Sequence, residues 1–155
     1  MGTLREFLDI ADKIVVKQFD QTGHISPMYH IVDDDGRDMV MAAPPLDKDT
    51  MVKLMRVYLA NLKAKRYLYI DEAWLATGKG VHDHAAHSSL EHFPGRSEVV
   101  MYCAEDQNEP MILASREIIR EPNAKPCLGP LDIWPFDRSE GRMVGLLIPR
   151  ERTVQ

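Results

Sequence analysis

The chain lacks an apolar run of membrane-spanning length, lacks a long run of Lys and Arg, and has only 2 cysteines in 155 residues. The first absence argues against a transmembrane helix, which needs about 20 consecutive apolar residues. The second, with a formal net charge of -5, argues against general nucleic-acid binding, because phosphate neutralisation needs a basic surface. Met1 to Lys17 alternates charge with apolar residues and lacks the unbroken apolar core of a secretory signal. Cys103 lies inside an apolar run, Val99 to Ala104, and Cys127 lies between Pro126 and Leu128 in a proline-rich turn. Free thiols in a reducing compartment are therefore expected, and with them a cytoplasmic protein.

What is present is the composition of a folded chain. Hydrophobic residues make up 45% and charged residues 28%, enough apolar surface to order the backbone. With no internal repeat and no low-complexity linker, the expectation is a single domain over 1–155.

Thr3-Leu4-Arg5-Glu6 reads as a capping box, and Leu4, Phe7, Leu8, Ala11, Ile14 and Val15 follow on one face at helical spacing, with Gly23 closing the helix. His24 to Val32 and Asp38 to Ala43 are β-like runs around Asp33-Asp34-Asp35-Gly36, a hairpin signal, and Pro44-Pro45 ends the second run. Asp47 and Asp49 then place negative charge at the start of a second helix, and Lys63, Lys65 and Arg66 place positive charge at its end. Its apolar stripe is Met51, Leu54, Met55, Tyr58, Leu59 and Leu62. Tyr67 to Thr77 reads as a central strand, 78–95 as a long loop with one helical turn around Ala85 to Glu91, and Ser97 to Asp106 with Met111 to Arg120 as a hairpin. Segment 121–155 is punctuated by prolines and offers two short apolar runs, Leu131 to Phe136 and Met143 to Ile148.

The order α-β-β-α-β-β-β, with a further short strand in the tail, has none of the strand–helix–strand alternation of doubly wound proteins. It predicts an α+β fold, a single mainly antiparallel sheet with two amphipathic helices on one face. By topology the order is analogous to profilin-like and roadblock-like domains, an analogy that carries no function. Two segments, Tyr69-Ile70-Asp71-Glu72-Ala73-Trp74 and the stretch from Gly95-Arg96-Ser97-Glu98 to Ala104-Glu105-Asp106, resemble a group of small bacterial and phage proteins of unknown function. In that group a strand ending in Glu-Ala-Trp is followed by a variable loop, an Arg-x-Glu and an apolar strand closing in Ala-Glu-Asp. The resemblance covers the middle of the chain, implies a shared fold and implies no activity.

Four of the 6 histidines, His82, His84, His87 and His92, crowd the 78–95 loop with Asp83 and Glu91. His-x-His brings two imidazoles within reach of one ion, and His87 would complete a zinc site with Glu91 or Glu72 as base. His-Glu-x-x-His is absent, as are the Ser and Asp that follow His-x-His in JAB-type metalloproteases. A polar surface loop rich in histidine accounts for the same residues.

Asp71 and Glu72 are neighbours in a strand and point to opposite faces, so one carboxylate enters a core or its margin. Such a group needs a partner, and Arg116 or Arg96 is expected to pair with Glu72. Carboxylates on opposite faces do not form an acid–base pair, which favours a structural role.

Weaker signals have plain explanations. Cys127 as a nucleophile with a loop histidine as base has no local signature. Asp33 to Gly36 lacks the alternating acids of a calcium loop, and Thr77-Gly78-Lys79-Gly80 lacks the spacing of a phosphate loop. Trp74, Trp134, Met39, Met41, Met51 and Met55 fit a core better than a ligand groove.

No complete nucleophile, phosphate or metal constellation emerges. The expectation is a non-catalytic binding or scaffold module without a cofactor, self-associating through a sheet edge or helix face, with Glu72, Trp74, Arg96 and Arg116 as contact candidates. The alternative is a metal-dependent hydrolase holding zinc on His82, His84 and His87.

Overall fold

The structure, a computed structural model, describes residues 2–75 and 95–135. The first helix, α1 (Leu4–Thr22), begins where the Thr3 hydroxyl accepts the Glu6 N–H at 3.1 Å. It ends at Gly23, whose φ of 70° is the left-handed turn that a residue without Cβ takes at least cost. Leu4, Leu8, Ala11, Asp12, Val15 and Phe19 form its buried face. Ile14, expected on that face, is 63% exposed.

A hairpin follows, β1 (Met28–Asp33) and β2 (Asp38–Ala42), with the Asp33 carboxylate accepting the N–H groups of Asp35 and Arg37 across the turn. The first strand starts later than His24, because the chain at His24 is still tied to the end of α1 through the Thr22 hydroxyl. The second helix, α2 (Lys48–Asn61), is capped by Asp47, whose Oδ1 accepts the Thr50 N–H at 3.0 Å. Lys63, Lys65 and Arg66 do not serve its C-terminus as expected. Lys63 takes a left-handed φ of 51° that turns the chain, and Arg66 already belongs to the next strand.

That strand is β3 (Ala64–Leu75), followed by β4 (Ser97–Asp106), β5 (Ile112–Ile119) and two short strands, β6 (Cys127–Leu128) and β7 (Asp132–Ile133). Cys127 is thus in a strand rather than a turn. The Met143 to Ile148 run and the helical turn expected around Ala85 to Glu91 lie outside the described residues. The sheet is antiparallel with strand order β2-β1-β3-β4-β5-β6, and β7 also pairs with β5.

The α+β class and the element order agree with the sequence reading; the placement of the helices does not. They lie on opposite faces. Leu8, Val15 and Phe19 of α1 pack with Leu68, Ile70, Val100 and Tyr102, while Met51, Met55 and Leu59 of α2 pack with Tyr29, Ile31, Tyr67, Tyr69 and Cys103. The cause is visible in β3: Tyr67-Leu68-Tyr69-Ile70 has no polar alternation, so both of its faces require cover.

Arg66, 3% exposed, fixes α1 to one end of the sheet. It donates to Asp106 at 2.7 Å, to Glu109 at 3.2 Å and to the Gly2 carbonyl at 2.9 Å, and Glu109 in turn accepts the Leu4 N–H at the start of α1. No helix among the described residues is long and apolar enough to cross a membrane.

Candidate functional site

Among the described residues singled out from the sequence, Trp74 and Arg96 meet, while Glu72 and Arg116 take other partners. Glu72 is half-buried as expected, but it accepts the Ile25 N–H at 2.8 Å and lies 3.3 Å from His24 Nδ1. Arg116, its expected partner, is committed to Asp12 of α1, with Nε to Oδ1 at 2.8 Å and Nη2 to Oδ2 at 2.7 Å. The sheet register explains the mismatch. Glu72 and Arg116 both lie opposite Val100, one on each side of it, and the α1 carboxylate comes down onto Arg116 from above. The Arg96 guanidinium lies 5.1 Å from the centre of the Trp74 ring, a cation–π contact. His82, His84 and His87 lie outside the described residues.

Two polar groups occupy the cores. On the α1 face, Tyr102 also donates to Asp12 at 2.6 Å, and Arg116 Nη1 donates to the Gly129 carbonyl at 2.8 Å. Burial works against the Asp12 carboxylate, yet the hydrogen bonds from Arg116 and Tyr102 outweigh it and hold its pKa below the usual range. On the α2 face, the Tyr67 hydroxyl donates to Glu105 and lies 3.9 Å from Cys103 Sγ, and Tyr69 donates to Asp71 at 2.9 Å. The Tyr29 ring stacks 4.7 Å from Tyr69, and its hydroxyl is wholly buried. Burial raises the phenols of Tyr29, Tyr67 and Tyr69 and pushes the Cys103 thiol up to about 12. These groups are neutral at physiological pH, and a neutral, enclosed thiol is a poor nucleophile. The first network holds α1 to the sheet, and the second joins groups of β3 and β4 within the sheet. Among the described residues no group of three metal-ligating side chains stands together.

The surface is more informative. Sequence periodicity assigned Leu54 and Met39 to the core, but they are 46% and 38% exposed. With Ile14 they belong to a set of exposed large apolar side chains that periodicity alone does not reveal, completed by Ile10, Val40, Leu46 and Val57. Met39 and Val40 lie on β2, Leu46 on the loop leaving it and Leu54 on the flank of α2 that meets it, while Ile10 and Ile14 lie on α1 over the other face of the sheet. The Tyr58 hydroxyl meets Met39 Sδ at 3.5 Å, so the Tyr58 side of α2 faces β2; Leu54 lies one turn before Tyr58, and Val57 adjoins Leu54. The Phe7 ring lies 4.6 Å from His30 of β1, and Ile10 and Ile14 follow Phe7 on α1 at helical spacing, both exposed. Met39 and Val40 stand on the edge strand itself, and Leu46 on the loop after it.

No family model matches the chain, and neither a curated protein nor a solved structure matches it.

Proposed function

We propose that this chain is a non-catalytic binding or scaffold module that works as a homo-oligomer, with the β2 edge as the surface it offers. The observation that carries this reading is the run of exposed large apolar side chains on β2, the loop after it and the α2 flank that meets it, at a strand that pairs only with β1 among the described residues. Apolar residues scattered singly over a surface need no explanation, but a contiguous group marks a contact surface. Removing such surface from water stabilises an association by roughly 25 cal/mol per Å² before the cost of lost freedom is subtracted. An open strand edge adds directional backbone donors and acceptors to that non-directional attraction.

The polar networks support a structural rather than a chemical role for the core, since their charged members are paired and their thiol and phenols are held neutral. The cysteines, Cys103 buried and Cys127 exposed, form no disulfide, which fits a reducing, cytoplasmic setting.

Sedimentation equilibrium from low to high micromolar concentration tests the reading. The weight-average mass is expected to climb from the 17.7 kDa of one chain to a multiple of it. A mass that stays at 17.7 kDa throughout would overturn it.

A further inference from the structure

The hairpin bonding decides which backbone groups of β2 face outward. At one end of the hairpin the Ala43 N–H donates to the Pro27 carbonyl at 2.9 Å, and at the other the Asp33 N–H donates to the Arg37 carbonyl at 3.1 Å. Antiparallel pairs alternate between bonded and non-bonded, so Tyr29–Met41 and Ile31–Met39 are bonded pairs, while Met28–Ala42, His30–Val40 and Val32–Asp38 are not. The N–H and C=O groups of Asp38, Val40 and Ala42 therefore point away from β1, toward the edge that no described strand covers.

We infer that the occupant of this edge is β2 of a second copy, paired antiparallel about a two-fold axis at Val40. The inference rests on the self-association proposed above and specifies its geometry. The outward residues are spaced symmetrically about Val40. In this register Val40 faces Val40 of the partner, Asp38 faces Ala42, and every outward N–H on either strand meets an outward carbonyl. Shifting the axis to Met39 or Met41 leaves some of those groups unpaired, and the Met41 axis also brings Pro44 opposite Asp38.

The side chains suit the same register. Like charges directly opposite each other would oppose pairing, and none arise. The Asp38 carboxylate is already held by His30 Nε2 at 2.9 Å and meets only a methyl group. On the α2 face Met39 meets Met41 of the partner, and on the α1 face the two Val40 side chains meet at the axis. A C2 contact needs one patch to complement itself, and this strand does so in both its hydrogen bonds and its charges. The sheet then runs without interruption through both copies, with Leu54 on the α2 flank that meets β2.

Amide hydrogen exchange on the unmodified chain, followed residue by residue above and below the association midpoint, tests the register. The amides of Asp38, Val40 and Ala42 are expected to slow by at least about tenfold in the associated state and to lose that protection on dilution. Those of Met39 and Met41, bonded within the hairpin, are expected to exchange alike at both concentrations. If the chain associates while Asp38, Val40 and Ala42 exchange freely, the β2 pairing is wrong and the homo-oligomer reading stands. If the chain remains a monomer at every concentration, both fall.

Discussion

The two edges of the sheet are treated in opposite ways by the same chain. On the far side, the outer edge of β5 is covered by the segment that carries β6 and β7. The Glu117 carbonyl accepts the Gly129 N–H, the Leu113 carbonyl accepts the Trp134 N–H, and Pro126, Pro130 and Pro135 deprive the covering segment of donors of its own. Arg116 ties that cover to α1 through Asp12 and the Gly129 carbonyl. On the near side, β2 carries no proline and no lysine, and it presents Met39 and Val40 to solvent. Edges left plain invite another strand. Among the described residues one edge is closed with prolines and an ion pair while the other stays apolar, and the proposed pairing uses that second edge.

Breaking the closed edge should produce the largest effect on the fold. Asp12→Ala strands the Arg116 guanidinium and the Tyr102 hydroxyl beneath α1, and loss of one partner from a buried pair costs about 4 kcal/mol. A urea titration measures the loss, and faster exchange of the Gly129 and Trp134 amides would show the cover loosening with it.

The next largest effect separates the two kinds of apolar residue on α2. Leu59 is 1% exposed, and Leu59→Ala should cost about 3 kcal/mol in the same titration. Leu54→Ala, at the open edge, should change folding by less than about 0.5 kcal/mol when measured on dilute protein, and should instead raise the concentration needed for association. Equal losses at the two positions would remove Leu54 from the surface set.

The comparison extends to pH. The folded-state pKa of Asp12 is depressed, so its contribution is present above the unfolded value, about 3.9, and is lost as pH falls through the folded value. Asp71 behaves oppositely: burial raises its folded-state pKa, so its ionisation weakens the fold as pH rises through that value. Asp12→Asn should therefore flatten the acid limb of a stability–pH curve measured by denaturant unfolding, and Asp71→Asn should steepen it.

Local features were legible in the sequence. The caps at Thr3 and Asp47, the turn at Asp33 to Gly36 and the span of β4 each depend on neighbouring residues, and each lies where the residue pattern puts it. The partner of Arg116 was not legible, because Asp12 is 104 residues away and meets it only once α1 lies across the sheet. Nor was the open edge. Asp38 to Ala42 reads as a strand, but its place at the end of the sheet follows from β3 returning beside β1, which no local pattern encodes. Ile14 and Leu54 were misplaced for a related reason, since an apolar residue at helical spacing looks the same whether its side chain is covered or faces solvent. The prolines that guard β5 also hid β6, because they suppress a strand reading where the strand is only two residues long.

The central claim, that the open edge is the contact surface, is tested most directly by sedimentation of Val40→Pro beside the unaltered chain. The Val40 N–H points outward, so proline there removes an edge donor while leaving the hairpin bonds of Met39 and Met41 in place. The account predicts that the variant keeps the circular dichroism spectrum of the unaltered chain and stays at 17.7 kDa at concentrations where the unaltered chain associates. A folded variant that associates as strongly as the unaltered chain would contradict it.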